Sequence, residues 1–134
     1  MPVTKSDTLP LMSEQDIVHT RQLVRKLALE QGFSLVDQTK LVTAASELAR
    51  NTVKYGGGGH VFWELLTDGS RKGIRLRFQD EGPGIEDVSL AMTEGWTSGN
   101  GMGLGLSGSK RLVNEFDIDS APGRGTRVTI ARWK

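Results

Sequence analysis

Residues 43–56 read TAASELARNTVKYG, a stretch in which apolar residues recur at helical spacing. The period extends back to Val36 and ends at Tyr55, before four consecutive glycines, so a helix is predicted there. Glu47 and Asn51 are four residues apart, about 40° around the helix axis, so their side chains share one face. Most polar faces of this kind are only solvated, so the pair needs support from neighbouring segments.

A second helix is predicted upstream, over residues 13–31. Its apolar residues keep the helical period, Ser13 and Asp16 form a capping pair at its start, and Gly32 follows its end. No signal sequence precedes it, and no apolar run approaches the roughly 20 residues that span a bilayer. We therefore expect a cytoplasmic protein with no membrane partner.

Downstream of the glycines the apolar period changes to two, which indicates strands. Helices that alternate with hairpins predict an α+β fold, a two-layer α/β sandwich whose mostly antiparallel mixed sheet is covered on one face by helices. The predicted elements are a hairpin of strands 60–66 and 74–80 joined through Asp68-Gly69, a helix near 104–115, and a hairpin of strands 116–121 and 127–133 turning at 122–125.

Composition and charge exclude several classes of function. A chain of 134 residues fits one domain, 1–134. Its 17 basic and 16 acidic side chains leave a net charge of +1, so nucleic acid is not an expected partner. There is no cysteine, which excludes disulfides, thiolate zinc sites and thiol nucleophiles. His19 and His60 lie far apart without a metal-binding pattern around either.

Three glycine-containing segments could carry chemistry. Residues 80–84, DEGPG, follow a predicted strand, so a carboxylate stands at the strand end beside glycines that permit close backbone approach. Residues 101–108, GMGLGLSG, open the third helix, where free N–H groups favour phosphate. No strand immediately precedes them, which disfavours a dinucleotide fingerprint, and no Gly-Lys-Ser/Thr follows, which excludes a Walker A loop. Residues 123–127, GRGTR, form the last turn, and each segment alone is compatible with an ordinary loop.

The four segments follow one order along the chain, E-x-x-x-N on a helix, D-x-G-x-G after a strand, G-x-G-x-G before a helix, and G-T in the last hairpin. This order resembles the sequence boxes of the GHKL superfamily of ATP-binding domains, which includes histidine kinases, gyrase-type ATPases, Hsp90-type chaperones and anti-sigma-factor kinases. SELARN, DEGPGI, EGWTSG and GLSGSKRLVNEF are most similar to the stand-alone serine/threonine switch kinases of stressosome partner-switching modules, and the likeness covers roughly 14–133.

The resemblance implies a role for each matched residue. Asn51 would coordinate the Mg²⁺ that bridges the phosphates of ATP, and Glu47 would be the base for the acceptor hydroxyl. Asp80 would accept a hydrogen bond from the exocyclic amine of adenine, with support from Thr126. Gly82 and Gly84 would let the backbone close on the base, Gly101, Gly103, Gly105 and Leu106 would form a lid over the phosphates, and Arg50 and Lys54 would be phosphate neighbours. The glycines at 56–59 predict a looser connection than the family pattern.

The implied activity is a serine/threonine protein kinase that transfers the γ-phosphoryl group of ATP to STAS-domain regulatory proteins and, when released, activates a serine phosphatase. Asn, Glu and backbone amides are suitable groups for phosphoryl transfer, which needs a hard cation and a positioned acceptor. A histidine kinase is disfavoured because the chain lacks a dimerisation helix pair, and gyrase and chaperone types need further domains. An ATP-dependent anti-sigma-type switch without transfer remains the alternative, although the presence of both Glu47 and Asn51 favours catalysis.

Overall fold

The computed structural model describes residues 3–85, 87–92 and 106–134. In chain order the elements are β1 (Val3–Leu11), α1 (Glu14–Glu30), α2 (Leu35–Lys54), β2 (Gly59–Asp68), β3 (Arg71–Asp80), α3 (Val88–Ala91), α4 (Leu106–Arg111), β4 (Glu115–Ser120) and β5 (Thr126–Trp133). The strands form one sheet in the order β1-β2-β3-β5-β4, and every pairing of neighbours is antiparallel. The predicted α+β class is confirmed.

Both long helices begin at serine caps. The Ser13 hydroxyl accepts the N–H of Asp16 at 3.2 Å, and the Ser34 hydroxyl accepts the N–H of Asp37 at 3.1 Å. The predicted helices 13–31 and 36–55 agree with α1 and α2 to within one residue at all four ends, because caps and apolar period are both local features of the sequence.

The core lies between the helices and one face of the sheet. Alternate residues of the central strands face the helices, and the opposite face carries polar pairs such as Glu64–Arg75, whose Oε1 and Nε atoms are 2.7 Å apart. The largest fully buried core side chains include Leu41, Leu48, Ile74, Leu76, Phe78 and Ile130. Asp80 continues the inward row of β3, which brings a carboxylate to the edge of this core.

Three elements of the structure differ from what the sequence predicted. The strand β1 was not predicted, because residues 3–8 are exposed on both faces and give no alternating apolar pattern. The short helix α3 was also missed. The predicted helix 104–115 extends too far, because α4 ends at Arg111 and Glu115 already begins β4, whereas residues 104 and 105 lie outside the described part.

In the glycine run 56–59, Gly56, Gly58 and Gly59 pack closely against other residues and Gly57 is exposed, so the connection is tighter than predicted except at Gly57. The N–H groups of Tyr55 and Gly56 both donate to the Asn51 carbonyl, and the N–H of Gly58 donates to the Thr52 carbonyl at 2.9 Å. A Cβ on Gly59 would lie 1.9 Å from the Gln79 carbonyl oxygen. The run therefore provides a close fit between the end of α2 and β3.

Candidate functional site

A pocket lies where the C-terminal half of α2 faces the ends of β3 and β5. Its walls are mostly apolar, and its polar groups come from two strands and one helix. The lining residues are Leu48, Asn51, Thr52, Phe78, Asp80, Ile85, Leu106, Thr126 and Val128. An apolar slot with a few convergent polar groups is the usual form of a small-molecule site.

Asp80 provides the carboxylate of this pocket. Its Oδ1 accepts the N–H of Gly82 at 2.9 Å, and the backbone N–H of Thr126 also donates to the carboxyl group. Burial raises the pKa of Asp80 above its ordinary value of 3.8, and the two N–H groups oppose that rise. Gly56 packs on the same carboxyl, since a Cβ there would lie 2.3 Å from its carbon. The carboxylate is therefore held in one position, with lone pairs left for a ligand that donates hydrogen bonds.

Asn51 reaches the pocket from α2. Its side chain is partly buried, and its Nδ2 atom is fully buried without a hydrogen-bond partner among the described residues. A buried amide that lacks a partner normally carries an energetic penalty, so this group is available to a bound molecule. Glu47 lies one turn earlier on the same helix face and is partly exposed, but it is not among the described residues that line the pocket.

Arg50 and Lys54 are not brought to the pocket. Arg50 is exposed, and the Lys54 Nζ atom lies 2.6 Å from Glu14 Oε1 at the start of α1. The hydrogen bond and the charge of Lys54 lower the pKa of Glu14, with a smaller contribution from the charge of Arg50. In this structure the two cations therefore face α1 rather than the pocket lining.

The glycines after Asp80 pack against protein backbone. The N–H of Gly82 binds the Asp80 carboxylate, and a Cβ on Gly82 would lie 2.5 Å from the Gly56 carbonyl oxygen. Gly84 has φ of 77°, and a Cβ there would lie 2.0 Å from the Ala121 carbonyl oxygen. Both positions therefore require glycine for contacts within the protein, a reason that the sequence did not reveal.

The predicted lid is only partly described. Gly101, Gly103 and Gly105 lie outside the described residues, whereas Leu106 is the first residue of α4, is buried and lines the pocket. Sequence reasoning missed the rest of the apolar lining and Ser120, a β4 residue in register with Thr126. The only signal for Ser120 was a hydroxyl at the end of a predicted strand, and its partner could not be known before the strand register.

The side chains of the pocket fit a Mg²⁺ ion that is held mainly by phosphate oxygens, and not one that is enclosed by protein ligands. Among the described residues no group of three or more His, Asp or Glu side chains could hold a metal. Mg²⁺ commonly takes one or two protein oxygens and completes its shell with phosphate and water. The side chain of Asn51, directed at the pocket, can supply one such oxygen.

Comparison with known proteins agrees with this geometry. Residues 36–134 match the family model described as histidine kinase-, DNA gyrase B-, and HSP90-like ATPase. The chain belongs to this family. This GHKL chain is 44% identical over 123 residues to the serine/threonine-protein kinase RsbT of Bacillus subtilis, covering 92% of each chain. It is 26% identical over 129 residues to an anti-sigma F factor of a Thermoanaerobacter species, covering 92% of this chain and 89% of the relative.

The fold of the GHKL chain also resembles a solved structure, the RsbU and RsbW domains of Rv1364c from Mycobacterium tuberculosis. The TM-score is 0.62 at 21% sequence identity, and the match covers 96% of this chain and 32% of the longer one. This likeness supports the fold alone. The family match and the relative at 44% identity identify the GHKL chain as an ATP-using enzyme, a serine/threonine-protein kinase. None of its described helices is long and apolar enough to cross a membrane.

Proposed function

We propose that this chain transfers the γ-phosphoryl group of Mg²⁺·ATP to a serine or threonine of a STAS-domain regulatory protein in a bacterial partner-switching circuit. The observation that carries the proposal is the pocket in which the Asp80 carboxylate and the unpartnered Asn51 amide converge on an apolar slot. The chain would act in the cytoplasm as one domain, 1–134. The similarity to RsbT and to anti-sigma F factors supports protein partners of a regulatory kind.

Each polar group has a proposed task in nucleotide binding. Asp80 accepts from the exocyclic amine of adenine, Thr126 supports that contact, and the apolar walls cover the ring. Asn51 supplies an oxygen to Mg²⁺, which, when bound, would neutralise charge on the phosphates. Gly101, Gly103, Gly105 and Leu106 would form the lid over the phosphates. Arg50 and Lys54 would be phosphate neighbours, and Lys54 would have to leave Glu14 to approach them.

Glu47 is the proposed general base. It would accept the proton of the partner's hydroxyl as that oxygen attacks the γ-phosphorus, while the bond to the bridging oxygen of ADP breaks. Its partial exposure, one turn from Asn51, leaves it accessible to a side chain from a docked protein. After transfer, the phosphorylated STAS partner would dissociate, and the kinase would bind and activate a serine phosphatase.

The test is transfer of labelled phosphate from ATP to candidate STAS-domain proteins, with Glu47→Gln as the diagnostic variant. We expect near-normal ATP affinity and a loss of transfer of about 10² to 10⁴-fold, because a general base acts mainly in the transition state. Glu30→Gln, an exposed carboxylate at the end of α1, is the matched control. Full activity of the Glu47 variant would exclude that residue as the base.

A second candidate is an ATP-dependent switch that sequesters a partner without phosphorylating it. The similarity to anti-sigma F factors favours it. The same experiment separates the two, because a binding switch forms an ATP-dependent complex with its partner while no label leaves the nucleotide.

A further inference from the structure

The hydroxyl of Ser120 connects the loop after Asp80 to the last hairpin. Its Oγ accepts the N–H of Ile85 at 2.8 Å, lies 2.9 Å from the Gly125 carbonyl oxygen, and lies 2.8 Å from Thr126 Oγ1. Three contacts on one hydroxyl use its full capacity of one donated and two accepted hydrogen bonds. Ser120 is therefore saturated by protein groups just behind the pocket.

These contacts determine where the two hydroxyl protons lie. A carbonyl oxygen can only accept, so the single proton of Ser120 is donated to Gly125. The contact with Thr126 then requires Thr126 to donate its own proton to Ser120. Thr126, which lines the pocket, is left with lone pairs alone for a ligand.

We infer that Ser120 is a positioning residue that determines which base the pocket selects. Because it accepts the proton of Thr126, the Thr126 hydroxyl can only accept a hydrogen bond from a ligand. The polar end of the pocket therefore selects a base with an amino group. The Asp80 carboxylate beside it also only accepts. A base with an amino group satisfies this end of the pocket, whereas a base with a carbonyl at the same position would place acceptor against acceptor. The inference rests on the proposed nucleotide site and adds to it a residue that does not line the pocket around the base.

The test compares the dissociation constants of ATP and inosine triphosphate, in which a carbonyl replaces the amine, by calorimetry on the full chain. We expect the wild type to prefer ATP by about 10 to 100-fold. Ser120→Ala frees the Thr126 hydroxyl to rotate and donate to the inosine carbonyl, so the ratio of the two constants should fall about 10-fold. Ser120→Thr retains the hydroxyl and should restore the ratio, and Ser70→Ala in the exposed β2–β3 turn is the control.

The ratio separates positioning from a structural role, because a weakened loop would reduce both affinities together. An unchanged ratio in Ser120→Ala, whatever the absolute affinities, overturns the inference. If that variant does not fold, Ser120→Cys provides the same test, since a thiol is only a weak donor and acceptor and should also lower the ratio. A wild-type chain that binds neither nucleotide would overturn the nucleotide site, and this inference with it.

Discussion

At the scale of single residues, the buried position of Asp80 suits the binding of a ligand but lowers the stability of the folded state. Burial raises its pKa, and a carboxyl with a raised folded pKa stabilises the folded state fully below its unfolded pKa, near 3.8. That contribution is lost as the pH rises through the folded pKa. Above this range the buried charge therefore lowers the free energy of unfolding in the absence of ligand.

Asp80→Asn should consequently separate stability from binding. Without nucleotide the melting temperature should equal or exceed that of the wild type at neutral pH, and the difference should shrink as the pH approaches 3.8. ATP affinity should fall by about 5 to 150-fold, because the amide loses an acceptor oxygen and leaves a buried partner unsatisfied at about 1–3 kcal/mol. Asp68→Asn in the exposed hairpin turn is the control. Unchanged ATP affinity by calorimetry would exclude Asp80 as the anchor for adenine.

Part of the pocket lining could be predicted from the sequence because some of its residues lie in short sequence motifs. Asn51 and Asp80 stand in short motifs whose residue types already indicate their chemistry. The apolar lining, such as Phe78 and Val128, and the hydroxyl of Ser120 gain their roles only from strand pairing across the sheet. The pairing of Lys54 with Glu14 joins two helices and likewise has no local signal.

At the scale of elements, the junction between α2, β2 and β3 depends on Gly59, which has no side chain. Gly59→Ala would place a Cβ against the Gln79 carbonyl, so the paired strands must move apart. We expect a loss of about 1–3 kcal/mol in urea unfolding, as for overpacked interiors. Gly108→Ala in α4 meets no atom within 4 Å and should instead stabilise by about 0.5–1 kcal/mol. Equal effects of the two substitutions would contradict this account of the junction.

The start of α2 is joined to β5 by an ion pair. Arg132 Nη2 lies 2.6 Å from Asp37 Oδ1, and Arg132 also donates to the Leu112 carbonyl at 2.8 Å. The hydrogen bond from Arg132 lowers the pKa of Asp37 below 3.8. A depressed carboxyl pKa contributes stability above the unfolded pKa, and this stability is lost as the pH falls through the folded value.

Asp37→Asn should therefore destabilise the chain at neutral pH and flatten its loss of stability below pH 3.8. Thermal unfolding across the acid range measures both effects. Asp119→Asn breaks the more exposed pair with Arg127 and should change little, because exposed ion pairs contribute little. If Asp37→Asn loses stability with falling pH as steeply as the wild type and Asp119→Asn do, the Asp37–Arg132 pair does not contribute to the loss of stability in acid.

The helices and hairpins could be predicted because helix caps, apolar periodicity and turn residues all depend on residues that are close together in the sequence. The edge strand β1 could not, because among the described strands it pairs only with β2 and buries little of its length, so no apolar alternation is required of it. The end of α4 was misplaced for a different reason, since Leu112 and Val113 follow Leu106 at helical spacing although the helix ends at Arg111.

At the scale of the whole molecule, the site carries a charge arrangement that should govern release of a phosphorylated partner. A phosphorylated hydroxyl beside Glu47 and ADP brings about two negative charges towards existing ones. We expect the phosphorylated STAS partner to bind about 5 to 150-fold more weakly than the unmodified form, with a gap that narrows as salt rises. Binding measured with ADP at two salt concentrations tests this, and equal affinities would leave release to another mechanism.

The order of strands in the sheet also determines when the nucleotide site can form during synthesis. β5 follows the other described elements along the chain, yet it lies between β3 and β4, and among the described strands β4 has no other neighbour. The carboxylate of Asp80 receives an N–H from Thr126, so the pocket stays incomplete until the chain beyond residue 126 has left the ribosome. A product that ends before residue 126 would retain Asp80 but lack the N–H that holds its carboxylate, so we expect it to bind nucleotide more weakly than the chain that contains β5.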